Sequence, residues 1–359
     1  MRAVRTDGQL LICLHHLVVD GVSWRVLLED LATAWSGRPL PAVTTSFRRW
    51  ALGLAARAQH PQTLAELPHW TRAQTAGGVK GRLRPLDPRV DVTATVQEVR
   101  RELPPSRTVP LLGPVPAAFH AGVADVLLTA LAVAIAADPE RGVLVAVEGH
   151  GREEDLVEGV DLSRTVGWFT TEYPVHLEPG TVDAAEVRAG GPAAGSALKR
   201  VKEQIRAVPG HGAGYGLLRY VNPRTAPVLA EMARPEVAFN YLGRIATASD
   251  GDPGADWTPV GANGWGGGAD GRMPVAYPLE INAVTEDRED GPWLSVTWSW
   301  PAGAFTAETV SGLAGDWFAA LDGLARHAEG PDAGGHTPSD LDLVSLSQDD
   351  IDEFEADFD

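Results

Sequence analysis

In residues 10–31, LLICLHHLVVDGVSWRVLLEDL, an apolar run ends on two adjacent histidines, His15 and His16, and the pair Asp20-Gly21 follows. Residues 9–15 predict a short buried strand. From Gly21 to Trp35 the spacing turns helical, with Trp24, Leu27, Leu28, Leu31 and Trp35 on one face. Alternation at a strand end sends the two imidazoles in opposite directions, so that one packs or orients while the other faces a cleft. A histidine beside a core strand is more often a hydrogen-bonded structural residue than a catalyst. Asp20 and Gly21 shift that balance, because a carboxylate beside the turn holds the loop or fixes an imidazole tautomer.

At 359 residues the chain exceeds one small core, which predicts two lobes or domains. A net charge of -18 argues against nucleic-acid and anionic-membrane partners, since binding phosphate requires clustered cations. The lone Cys13 has no partner for a disulfide, and no Cys/His cluster has zinc-ligand spacing. The polar opening residues, and an apolar run well short of the roughly 18 residues of a spanning helix, suit a soluble, cytoplasmic protein without signal peptide or anchor.

Helices are expected over 46–60, 63–75 and 194–207, and from Thr306, a candidate N-cap, to Arg326. ADVLLTALAVAIAAD, apolar on nearly every side, reads as a core helix. VTATVQEVRREL, VLVAVEGHGRE, WFTTEYPVHLE, EVAFNYLGR, PLEINAVTED and WLSVTWSW have strand character, and 245–271 reads as a Gly/Asp-rich loop. Strands alternating with helices define the fold class as α/β, an α+β sandwich. GGVKGRLRPLDPR marks a boundary between lobes. The acidic stretch SLSQDDIDEFEADFD is expected to be solvated or a linker.

Glu148 opens EGHGRE at a second strand end, as a carboxylate that burial would tune for acid/base work; its bland alternative is a salt bridge with Arg152. Tyr241, in FNYLGR, offers a phenol to a developing oxyanion, with Asn240 able to help. The alternative, a core aromatic with a satisfied hydroxyl, ranks first on residue type alone. HGAGYG imitates a phosphate loop without the framing such a loop needs. GxSxG, P-loop and HExxH patterns are absent.

Together these motifs resemble the condensation-domain superfamily of nonribosomal peptide synthetases, and within it the epimerization domains. HHLVVDGVSW fits the HHxxxDG pattern, and EGHGRE, VGWFTTEYPV, GYGLLRY and FNYLGR follow in the family's order. PLEINAV and TPSDLDLVSLSQDDID resemble the family's C-terminal end. The resemblance implies chloramphenicol-acetyltransferase-like lobes around a tunnel, entered by the phosphopantetheine arm of a carrier protein. It identifies His16 as the active-site histidine, Glu148 as the opposed carboxylate and Tyr241 as the tyrosine near the substrate carbonyl. Asp20 and Arg152 are then a structural ion pair between the histidine loop and the EGHGRE turn.

The implied reaction is inversion of Cα in an aminoacyl or peptidyl thioester, from L to D. The cofactor expectation is none bound, with the substrate tethered to the 4'-phosphopantetheine of a peptidyl carrier protein, and the partners are that carrier and neighbouring synthetase modules. Peptide-bond condensation and a noncatalytic docking module are the alternatives. Family members carry most of an N-terminal lobe before the histidine motif, whereas fourteen residues precede His15 here. The resemblance therefore implies a truncated N-terminal lobe over 1–78, a complete C-terminal lobe over 79–345 and an acidic tail over 346–359. It also implies weak or no independent activity, as of an inactive fragment, and exposed apolar surface around residues 10–35.

Overall fold

The structure, a computed structural model, describes residues 2–6, 8–73, 78–246, 270–331, 333–341, 346–348, 350, 351 and 353. β1 (Arg2–Thr6) and β2 (Gln9–Cys13) form an antiparallel hairpin, registered from Arg2 opposite Cys13 to Thr6 opposite Gln9. The burial that the sequence predicts for β2 is not found: Leu10 and Leu11 are 43% and 67% exposed. β1 carries no apolar face that sequence patterning would detect.

The remaining strands are β3 (Val96–Leu103), β4 (Val143–Gly149), β5 (Thr171–Leu177), β6 (Val237–Ala246), β7 (Leu279–Arg288) and β8 (Gly291–Pro301). They form one six-stranded sheet in the order β3-β8-β7-β6-β4-β5. β6 runs parallel to both β4 and β7, and the other neighbours are antiparallel. Alternation gives the sheet two unlike faces. Val145, Phe239, Ile281, Val296 and Trp298 enter one large core, against the helices Val123–Ile135, Pro192–Arg206 and Ala307–His327. Each such side chain, fully buried, stabilises the fold by about 1.5–3 kcal/mol.

The helix Val123–Ile135 is buried at every position from Asp125 onward, as its all-round apolarity predicts. Thr306 caps the helix Ala307–His327 by accepting from the Thr309 amide at 3.1 Å. Farther along that helix, Trp317 sets its ring edge-on to Trp298 at 5.8 Å and donates to the Leu127 carbonyl. The opposite sheet face is polar: Glu172, Glu148, Asn240, Asn282, Thr297 and Arg100 follow one another across neighbouring strands, from β5 through β4, β6, β7 and β8 to β3.

The helix Gly21–Trp35 has its expected bounds but not its expected buried face. Ser23 and Val26 are buried, while Trp35 is 65% exposed. The anchoring comes from polar bonds at the helix start rather than from the apolar stripe. With Leu17 and Val18, the exposed side chains form the apolar surface expected over residues 10–35.

The two helices expected over 46–75 are three, Phe47–Arg57, Pro61–Leu64 and Leu67–Ala73, with Pro61 opening the second. Of the loop expected at 245–271, residues 247–269 lie outside the described residues. In the acidic stretch Ile351 is 3% exposed, so that position is packed rather than solvated. No single helix among the described residues is long and apolar enough to cross a membrane.

Candidate active site

The chain leaves β2 at Cys13 and turns through the histidines. The Nδ1 atom of His15 accepts from the Leu17 amide at 3.1 Å and caps the short turn His16–Val18. That bond leaves the proton of a neutral His15 ring on Nε2 and gives His15 an orienting role. His16, exposed, lies with its ring centroid 5.0 Å from that of Trp168, at an interplanar angle of 46°.

Asp20 caps the helix Gly21–Trp35, accepting from the Ser23 amide at 2.7 Å, while its second oxygen accepts from the Phe169 amide at 3.1 Å. Arg152 completes the junction. Its guanidinium reaches Asp20 at 3.2 Å and Ser23 Oγ at 3.1 Å, and donates to the Leu162 and Thr165 carbonyls at 2.8 Å each. It also stacks over the Phe169 ring at 4.0 Å. Ser23 Oγ donates to the Gly167 carbonyl and accepts from the Gly167 amide.

Burial would raise the Asp20 pKa, but the Ser23 and Phe169 hydrogen bonds and the Arg152 charge outweigh it and hold the carboxyl below its ordinary value. The expected Asp20–Arg152 ion pair is present. Gly21 follows Asp20 as the first helical residue, and no atom lies within 4 Å of where a Cβ would stand, so the position makes no steric demand for glycine. Gly151 does make one: its φ is +67°, and a Cβ would lie 1.6 Å from the Phe169 carbonyl oxygen.

Glu148 stands near the end of β4 on the polar face, opposite Glu172 of β5. Its side chain is exposed. Lost hydration raises its pKa, Glu172 and then Glu280 raise it further, and His16 acts in the opposite sense. His16 and Glu148, 132 positions apart in the chain, stand on two segments that the Asp20–Arg152 ion pair joins.

Tyr241 is not brought to this site. The ladder sets it beside Ala283, fully buried in the core, and its ring packs on the same core as Phe239. Its hydroxyl pairs with Thr285 Oγ1 at 3.0 Å, and burial raises the phenol pKa more than that bond lowers it. Strand alternation sends it to the face away from Glu148. Asn240, one residue earlier, takes the polar face, since Val147 pairs with Phe239 and Glu148 therefore comes level with Asn240.

Sequence reading assigned no role to Ser23, Trp168, Phe169, Glu172 or Tyr277. Ser23 had a local signal, three residues after a capping Asp, but the others depend on contacts between distant segments. Tyr277 donates a short hydrogen bond to Glu172, and its phenol is pushed far above the ordinary range by burial and then by Glu172. Among the described residues no three His, Cys, Asp or Glu side chains group as a metal site.

The condensation-domain family profile matches residues 3–343. One of the linear gramicidin synthase polypeptides of Brevibacillus parabrevis is 39% identical over 358 residues, covering 96% of this chain and 7% of that protein. Chondramide synthase cmdD of Chondromyces crocatus is 38% identical over 360 residues, covering 96% of this chain and 8% of that protein. The chain thus spans less than a tenth of the length of these relatives. The crystal structure of the epimerization domain from the third module of tyrocidine synthetase B matches with a TM-score of 0.71 at 30% identity, covering 89% of this chain and 69% of that one.

Proposed function

The chain belongs to the condensation-domain family, and from that membership we propose that it inverts the α-carbon of an aminoacyl or peptidyl thioester within a nonribosomal peptide synthetase. The substrate is carried on the 4'-phosphopantetheine arm of a carrier protein. The observation that carries this reading is the Asp20–Arg152 ion pair, which ties the turn bearing His16 to the loop that follows Glu148. Likeness to an epimerization domain across 89% of the chain supports it.

Inversion needs a proton removed from one face of Cα and one returned to the other, and a thioester eases the step because its carbonyl takes up the charge as an enolate. His16, on the turn after β2, and Glu148, on β4, supply two titratable groups from separate parts of the fold. Asn240, on the same sheet face as Glu148, donates from its side-chain amide to the enolate oxygen. Asp20, Ser23 and Arg152 act one step back: they fix the histidine turn against the loop that follows Glu148.

Peptide-bond formation, with His16 assisting attack of an amine on the thioester, is the second reading, favoured by the family's name. The test is chiral analysis of the amino acid released from a carrier protein loaded with L-alanyl, L-phenylalanyl or L-lysyl thioester. A mixture of L and D forms supports inversion. Retained L configuration, with a dipeptide formed when an acceptor-loaded carrier is added, supports condensation instead.

A further inference from the structure

We propose that Glu172, held by Tyr277, is a positioning residue that keeps the proton on Glu148, so that Glu148 enters the reaction as the proton donor and His16 as the acceptor. The inference rests on the inversion reading and assigns the direction in which its two groups work. Glu148 and Glu172 sit directly opposite each other on β4 and β5, an arrangement that places Cβ atoms about 5 Å apart and disfavours two like charges. Tyr277 donates its hydroxyl to Glu172, so the second carboxylate is fixed as an acceptor beside the first. Its phenol, half-buried and hard to ionise, remains a donor throughout the neutral range.

Among the described residues, the other titratable groups that act on Glu148 are Glu280 from β7 and His16 from the histidine turn, while β6 presents Asn240 between Glu148 and β7. Glu280 stands two strands away, about 10 Å in the hydrogen-bonding direction, close to one Debye length at physiological salt. It also accepts from the Asn282 side chain at 2.9 Å. Glu172 is therefore the stronger of the two negative neighbours, and the one with a dedicated clamp.

The step balances. His16 takes the Cα proton, and the C–H bonding pair moves into the thioester carbonyl as an enolate. Glu148 then gives its proton to Cα from the other wall, the carbonyl re-forms, and Glu148 is left as a carboxylate. Both groups meet solvent, which removes the proton from His16 and restores the one on Glu148.

Two measurements on the same proteins test this. Carboxyl-carbon NMR titration of Glu148 is compared in the parent chain and in Glu172→Gln, Glu172→Asp and Tyr277→Phe. Alongside it, the pH profile of α-deuterium washout is followed with deuterated alanyl, phenylalanyl and lysyl thioesters on a carrier protein. Removing the like charge lowers the Glu148 titration midpoint by about one pH unit, the scale for an exposed cross-strand pair in a dielectric well above that of the interior. The fall in washout with rising pH moves to lower pH by the same amount. Glu172→Asp restores most of the parent behaviour, and Tyr277→Phe gives a smaller shift in the direction of Glu172→Gln. An unchanged Glu148 titration in Glu172→Gln overturns the proposal, as does a titration that shifts while the washout profile stays in place. Failure of the inversion reading looks different: the parent shows no washout at any pH although the titration difference persists, and the donor role then falls with it.

Discussion

Replacing Arg152 by methionine cuts the junction between the histidine turn and the loop after Glu148, and the cost follows from the bonds removed. Four hydrogen bonds disappear, to the Leu162 and Thr165 carbonyls, Asp20 and Ser23 Oγ, together with the stacking on Phe169. Methionine keeps an unbranched apolar stem, so the loss is mainly one of charge. Asp20, 4% exposed, loses its counter-charge; breaking one partner of a buried pair costs about 3–5 kcal/mol. The Ser23 and Phe169 amides still donate to Asp20, which puts the expectation at the lower end, about 3 kcal/mol.

The assay is hydrogen exchange at the Ser23 and Phe169 amides, where a local opening made easier by that amount speeds exchange about a hundredfold. Asp20→Asn and the double variant complete the cycle, with a coupling of about 1.5–3 kcal/mol expected for groups in direct contact. The pH dependence has a fixed sign. Because the folded Asp20 pKa is depressed, its contribution is present above the ordinary carboxylate pKa and is lost as pH falls through the depressed value. In Arg152→Met that loss begins at higher pH. Additive single effects, or unchanged amide exchange in Arg152→Met, would refute the reasoning.

Tyr241→Phe leaves α-deuterium washout within about threefold of the parent, and costs about 1–2 kcal/mol in denaturant titration because the buried Thr285 hydroxyl loses its partner. A large loss of washout with unchanged stability would restore Tyr241 to the site. Gly151→Ala drives a methyl into the Phe169 carbonyl in a left-handed backbone, so the thermal midpoint falls by several degrees and washout falls with it; an unaltered midpoint contradicts the close approach. Lys202→Met strands Asp340 and the Phe119 carbonyl, both bonded by the fully buried ammonium group. Proteolysis near residues 337–341 should speed up at least tenfold, and protection equal to the parent would show that the pair does not hold that turn.

Where periodicity was strong the sequence was enough: the core helix Val123–Ile135, the capped helix Ala307–His327 and β4 through β8 lie close to where their patterns put them. The helix Gly21–Trp35 shows the limit of that signal. Its apolar stripe predicts a buried face, but a stripe is buried only if neighbours cover it, and polar bonds to Gly167, Phe169 and Arg152 hold the helix start instead. Tyr241 shows a second limit. Alternation places it with Phe239, but which face holds Glu148 depends on the register of β4 against β6, between segments about ninety residues apart. The Glu148–Glu172 pairing is a cross-strand contact of the same kind, set by register rather than by any local pattern.

The most direct measurement of the central claim is α-deuterium washout from a carrier-bound deuterated aminoacyl thioester, in the parent chain and in His16→Ala and Glu148→Gln. If the two side chains flank Cα as acid and base, the parent exchanges deuterium for solvent hydrogen, and each substitution lowers the rate by about 10²–10⁴-fold with the fold intact. Washout that survives both substitutions, or a parent that never exchanges the label, would contradict the claim.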